Sequence, residues 1–305
     1  VATWVFSLSA HAQVWSQVPS TALVVVHVNN MQTLSQKIAD WSKQVGLTDL
    51  NPAGAAVAAD PLAFGMRELN ITKGVKTDGD FAIAFVNTPN MFNAPNPPFV
   101  MLLPVTDYAT FLSNFPDAKT EGDISSIRFG VPPAPAFVAK WGDYAAISPT
   151  RDIVTAGVGA AITVGDSATK EIAAKDVSVL VNMAAVRTLV LPQFVMAHQF
   201  VATQLAQGIK QSPFAKYSSL LVAVANEMLD TAQQLMTDCD DVVASGGIGT
   251  DGLNGSLVVD FKAGSHFGDI LAAEKNTDAS MLAGLPNFKY LLLGGGVADP
   301  KTSGK

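Results

Sequence analysis

The sequence predicts an α+β protein built from two related halves, each an antiparallel sheet of hairpins with helices packed on one face. Three observations lead there. Short β-branched runs such as "TALVVVHVN" alternate with segments of helical periodicity. Turn residues separate neighbouring strand-like runs closely enough for hairpins. Finally, a set of landmarks recurs in one order, offset by roughly 150 to 170 residues, as tandem copies with loop insertions would give.

The first unit opens at residues 21–29, a buried-strand pattern bounded by Pro19 and by Asn29-Asn30. Asn30 is placed to cap a helix in which Met31, Leu34, Ile38, Trp41 and Val45 fall along one face. The same V-x-V-N phrase appears at Val26–Asn29 and Val179–Asn182. Thr77-Asp78-Gly79 precedes "DFAIAFV", and Thr250-Asp251-Gly252 precedes "LNGSLVVDF". Tyr108, Phe111 and Leu112 come after one strand at helical spacing, and Phe267, Ile270 and Leu271 after another. "GDYAAI" and "FKYLLL" each place a tyrosine, Tyr144 or Tyr290, before an apolar strand. These pairs divide the chain into a first repeat at 13–155, a small-residue linker at 156–174 and a second repeat at 175–305.

The second half also holds two long helices. Phe194, Ala197, Val201 and Leu205 share one face. Beyond Pro213, a first-turn proline, the residues Phe214, Tyr217, Leu221, Val224, Met228, Ala232 and Leu235 recur at three- and four-residue steps. Both stripes are expected to face the core; the sharper alternative is a groove for an apolar ligand between these helices and the sheet.

"SGGIGTDGLNG" contains Gly247, Gly249 and Gly252 in G-x-G-x-x-G spacing. A dinucleotide loop needs a helix directly after it, because the pyrophosphate rests on that helix's free N–H groups. Here the loop runs into the β-branched, strand-like "LNGSLVVDF". Asp251-Gly252 therefore reads as a hairpin turn, and no nucleotide cofactor is expected.

Composition narrows the partners. Among 305 residues 49% are hydrophobic and only 15% charged, the net charge is −7 and the pI is near 5.0. No Lys/Arg cluster is present to neutralise phosphates, so nucleic acid is an unsuitable partner. No uninterrupted apolar run approaches the roughly 18 residues of a membrane span. Cys239 is the only cysteine, which excludes an intramolecular disulfide. Ala10-His11-Ala12 before Gln13 fits a signal-peptidase site after apolar Val5, Phe6 and Leu8. Residues 1–12 are therefore expected to be the remnant of a secretory signal, placing the protein outside the cytoplasm, secreted or periplasmic.

Candidates for chemistry are few. His27, His198 and His266 lack the spacing of a metal motif, and neither "TDCDD" nor "DGD" has the regular ligand spacing of a calcium loop. No G-x-S-x-G is present. Ser167-Ala168-Thr169-Lys170 matches S-x-x-K and Lys301-Thr302-Ser303-Gly304 loosely a K-T-G box, but S-D-N is missing and Ser167 reads as a helix cap. No catalytic, cofactor or metal residues are assigned. The loop "TPNMFNAPNPP", 88–98, is the candidate contact site, because Met91 and Phe92 sit among four prolines and three asparagines.

"VPSTALVVVHVNN", "LLPVTDYATFL", "GDYAAIS" and "ASMLAGLPNFKYLLLGGG" resemble phrases of a group of uncharacterised secreted bacterial proteins that share a domain of unknown function. The resemblance spans most of residues 17–299. It implies export and a duplicated α+β architecture, and supplies no catalytic residues. The leading expectation is an extracytoplasmic, non-catalytic binding or assembly module contacting another protein or an envelope component. A carrier of an apolar ligand or lipid is the second reading, and a hydrolase with a site hidden from the sequence is the third.

Overall fold

The run of β-branched residues at Ala22–Val28 forms strand β1, and its neighbours extend it into one continuous antiparallel sheet. The computed structural model describes residues 12–46, 52–88, 91, 97–211, 213, 215–250 and 252–273. In chain order the elements are α1 (Ala12–Trp15), β1 (Ala22–Val28), α2 (Met31–Gln44), α3 (Pro52–Ala59), α4 (Pro61–Glu68), β2 (Phe81–Val86), β3 (Phe99–Pro104), α5 (Tyr108–Leu112), β4 (Lys119–Glu121), β5 (Ile124–Phe129), β6 (Ala134–Trp141) and β7 (Tyr144–Ser148). Next come α6 (Arg151–Ala156), α7 (Asp166–Ala174), β8 (Val177–Asn182), α8 (Met183–Lys210), α9 (Ser218–Asp238), β9 (Cys239–Gly249), β10 (Gly252–Phe261) and α10 (His266–Ala273). The strand order is β10-β9-β8-β1-β2-β3-β7-β6-β5-β4. The fold is α+β, with a ten-stranded antiparallel sheet.

The chain divides into two compact units. One comprises residues 1–197 and 240–260 and holds the sheet; the other comprises 198–239 and 261–305. Within the sheet unit, alternation along the strands sorts the core into two faces. Val100, Leu102, Tyr144 and Ala146 point to one face, where Ile153 of α6 and Ala168 and Ile172 of α7 cover them. Leu103, Val105, Ala145 and Ile147 point to the other, under Met31 of α2 and Phe111 of α5. Helices therefore cover both faces, and the expectation of helices on one face is corrected. The physical reason is β7: all five of its residues are buried, so neither of its sides can be left to water.

The pairing of β1 with β8 has a symmetric register. Val26 faces Val179, Val24 faces Val181 and Val28 faces Val177, so a shift of 153 residues (26 to 179) carries each partner onto the other's place. The flanking asparagines obey the same shift. Asn29 Nδ2 donates to the carbonyls of Ala173 (3.2 Å) and Lys175 (3.4 Å). Asn182 Nδ2 donates to those of Ser20 (3.1 Å) and Ala22 (2.9 Å). Outward from this seam β1-β2-β3 and β8-β9-β10 run in the same order.

The two T-D-G phrases lead into strands, as expected, but strands of different rank in these two series. Thr77-Asp78-Gly79 lies before β2, whereas Thr250 follows β9 and Gly252 is the first residue of β10. The position of equal rank, before and at the start of β9, is held by Thr237-Asp238-Cys239-Asp240. Gly252, at φ 125, opens β10 instead of a helix, so the G-x-G-x-x-G stretch lacks the helix terminus a pyrophosphate requires. Asp251, Tyr290, Lys301–Gly304 and residues 1–11 of the expected signal remnant lie outside the described residues.

Asn30 caps α2 as expected, its side chain accepting from Thr33 N at 2.9 Å. The buried stripe of α2 is not the expected one. It consists of Met31, Ser35, Ala39 and Ser42, while Val45 is 49% exposed. Small side chains on that stripe let α3 and α4 approach closely, and Leu34, Ile38 and Trp41 are left half-buried beside it. In the second unit, α10 is pinned to the end of α9. Asp238 Oδ2 accepts from Phe267 N at 3.1 Å, and Phe267 packs on Phe261 at 5.8 Å between ring centroids.

Candidate functional site

The sheet unit carries a cleft of about 950 Å³ between α2, α4, the segment 70–77 and the end of α5. This size falls in the range of small-molecule sites. Its walls are fixed by local hydrogen bonding. Asp60 precedes Pro61, the first residue of α4, and its Oδ1 accepts from Ala63 N at 3.0 Å as an N-cap. Ser35 Oγ, from the buried stripe of α2, donates to the same Asp60 oxygen at 3.2 Å and accepts from Leu62 N at 3.0 Å. One serine thus ties the start of α4 to α2.

The opposite wall is held by Asn114. Its Oδ1 accepts from Thr72 N (2.9 Å) and Thr72 Oγ1 (3.0 Å), and its Nδ2 donates to the carbonyls of Lys73 (2.9 Å) and Phe111 (2.7 Å). Those four bonds use the full capacity of one amide. Gly74, at φ 81, lets this segment lie directly on α5; a Cβ there would come within 2.3 Å of Phe111 N. The cleft is therefore preformed.

Its chemistry is amphipathic. Leu62, Met66, Ile71 and Val75 supply an apolar floor, and Ile71 is itself buried. Two cations stand at the wall. Arg67 lies over the Phe64 ring at 5.1 Å, with its Nε 3.8 Å from Glu68 Oε1. Lys73 makes no ion pair among the described residues. The single lining carboxylate, Asp60, is already consumed by the cap. Arg67 is thus shared with Glu68, and Lys73 is the cation the wall can offer to an anionic group.

The residues singled out from sequence lie elsewhere. His27 is 1% exposed, its Nε2 stands 3.6 Å from Asp80 Oδ2, and its ring packs on Trp15 at 5.2 Å. Neither of its ring nitrogens has a hydrogen-bond partner among the described residues, and it does not line the cleft. His198 Nε2 stands 3.7 Å from Asp230 Oδ1 on the long helices, and exposed His266 packs edge-on against Phe267 at 5.3 Å. Ser167 and Lys170 are exposed on α7, where Gly165 and not Ser167 is the N-cap.

The "TDCDD" carboxylates are committed to structure. Asp238 holds α10, with its Oδ1 also accepting from Gln234 Nε2 at 2.7 Å. Asp240 stands 3.8 Å from Arg187, and Asp241 accepts from Gly165 N at 3.0 Å. Among the described residues no three metal-ligating side chains converge. Met91 is half-buried in a turn closed by its N–H to Thr88 O at 3.0 Å, while Phe92 lies outside the described residues.

Sequence reasoning missed the cleft. A Ser-Ala-Ser stripe on α2 and the Asp60-Pro61 helix start were its signals, but polar small residues on a helix read as surface until a partner helix is known. No helix among the described residues is long and apolar enough to cross a membrane. In comparisons with known proteins, no family model, curated protein or solved structure matches the chain.

Proposed function

We propose that the protein is an exported, non-catalytic binding module whose cleft between α2, α4 and α5 holds an amphiphilic anion, an alkyl chain ending in a carboxylate. The observation that carries the reading is the pairing of an apolar floor with Arg67 and Lys73, in a cleft where Asp60, the one lining carboxylate among the described residues, is held as a helix cap. The chain of the ligand would cover Leu62, Met66 and Ile71, and its head would meet the cations. Export rests on Ala10-His11-Ala12 and on the resemblance to secreted proteins.

We read the scaffold as a tandem duplication of a strand, a helical segment, two strands and a helix, the helical segment being α2–α4 in the first copy and α8–α9 in the second. The 153-residue shift shared by the β1–β8 register and by the bonds of Asn29 and Asn182 supports it. So does the recurrence of V-x-V-N at the same shift.

Calorimetric titration with decanoate, decanol and decyltrimethylammonium tests the ligand. Decanoate is expected to bind about tenfold more tightly than decanol, equivalent to about 1.4 kcal/mol for an exposed charge-assisted contact, and the cation not at all. Arg67→Gln with Lys73→Gln should reduce decanoate to the level of decanol. Co-sedimentation with anionic vesicles separates a lipid headgroup from a free chain: binding there in place of decanoate reassigns the source. Equal affinity for decanoate and decanol, or a double variant that binds as the native protein does, removes the proposal.

A further inference from the structure

The long helices pose a different problem from the cleft. Along α9 and the turn before it, Tyr217, Leu221, Val224, Met228 and Leu235 are spaced by steps of four, three, four and seven, with Thr231 filling the intervening place. That is the alternating four-three spacing of a helix-to-helix seam. With Leu220, the helical members fall within an arc of about 100°. The stripe is not covered. Tyr217 is 50% exposed, Leu220 63%, Leu221 37%, Val224 49%, Met228 69% and Leu235 43%. A groove of about 640 Å³ runs along it, with Ala223 and Ala232 beside the larger side chains. The expectation that this stripe faces the core is corrected by these exposures. Helical spacing records that a face needs a partner, not that the partner is the sheet.

We infer that this stripe is the interface between two copies of the chain, packed α9 against α9. At roughly 150–200 Å² for a fully exposed large side chain, the six residues of the stripe together offer roughly 500–600 Å² of apolar surface. A stable pair buries about 800 Å² per partner, of which about 60% is apolar, so one such stripe supplies the apolar part when repeated by a two-fold axis. A lipid surface fits less well. Helices that lie on membranes carry Lys and Arg on the flanks of the apolar face, whereas Glu227 and Asp230 flank this one on a chain of net charge −7.

Light scattering after size exclusion, over a wide concentration range, tests the inference. The native chain is expected to run as a dimer, and Val224→Asp with Met228→Asp as a monomer with unchanged circular dichroism. Thr231→Leu completes the seam and should tighten the dimer about tenfold, a gain that misfolding cannot produce. Hydrogen exchange on α9 separates the occupants. Protection that appears only at dimer concentrations supports the inference; protection of α9 in a native monomer assigns the stripe to residues 274–305 of the same chain and overturns it. A native chain that is monomeric throughout with α9 unprotected, or a dimer indifferent to the paired aspartates, overturns it as well.

Discussion

Gly74→Ala isolates the contact that forms one wall of the cleft. Two costs arise, and they separate. An alanine at φ 81 costs roughly 1–2 kcal/mol from backbone conformation alone. Its Cβ would also stand 2.3 Å from Phe111 N, 2.6 Å from Phe111 Cα and 2.9 Å from Thr110 C, all backbone atoms of α5 that cannot rotate away. Relieving that overlap requires segment 70–75 to lift from the helix, which strains the Asn114 clamp and costs roughly a further 1–3 kcal/mol. Gly264→Ala is the control, because Gly264 sits at φ 73 in a turn closed by Ser265 N–H to Lys262 O, with nothing within 4 Å of its added Cβ. Urea denaturation monitored by tryptophan fluorescence should place Gly74→Ala at about 2–5 kcal/mol and Gly264→Ala at about 1–2 kcal/mol. Decanoate affinity should fall in the first variant only. Equal losses in the two variants would refute the close approach, and with it the preformed wall.

The same geometry sets three other outcomes. Asn182→Ala removes two donated bonds and the bond its Oδ1 accepts from Ala185 N at 3.2 Å, at a site 5% exposed, and should cost about 2–3 kcal/mol in denaturant titration. Asn29→Ala, whose bonds are more exposed, should cost about 1 kcal/mol; a neutral Asn182→Ala would detach the asparagines from the β1–β8 seam. Burial raises the Asp241 carboxyl above its ordinary value of 3.8; the Gly165 N–H opposes this, and Asp260 and Asp240 add to the rise. Because the folded state holds this proton more tightly, the group's stabilising contribution is complete below the unfolded value and is lost as pH climbs through the raised one. Asp241→Asn, which keeps an acceptor for Gly165, should therefore stabilise the protein at neutral pH, with the gain vanishing below the ordinary aspartate range. Thermal melts across that range check the sign, and a gain that grows on acidification would reverse it.

The sequence was most informative where one residue type has one use. A β-branched run ending at Asn29-Asn30 could only be a strand meeting a capped helix, and Asp251-Gly252 before Leu257, Val258 and Val259 only a turn into a strand. It was least informative where burial depends on a partner. Ser35, Ala39 and Ser42 are buried because α3 and α4 lie on them, and no periodicity of α2 itself distinguishes that stripe from the more apolar Leu34, Ile38, Trp41 and Val45. On α9 the reverse holds, since an evident apolar stripe faces outward. The two T-D-G phrases lead into strands of different rank, β2 and β10, a difference that tripeptide identity alone does not reveal. The cleft was hidden for a related reason: Asn114 is far in sequence from Thr72 and Lys73, and only the sheet brings them together.

The most direct measurement is the position of a bromine-tipped alkyl carboxylate in crystals of the protein, located by anomalous scattering. The bromine is expected over Met66 and Ile71, with the carboxylate between Arg67 and Lys73. A bromine on the exposed face of α9, or a cleft that stays empty while the ligand binds in solution, would contradict the account.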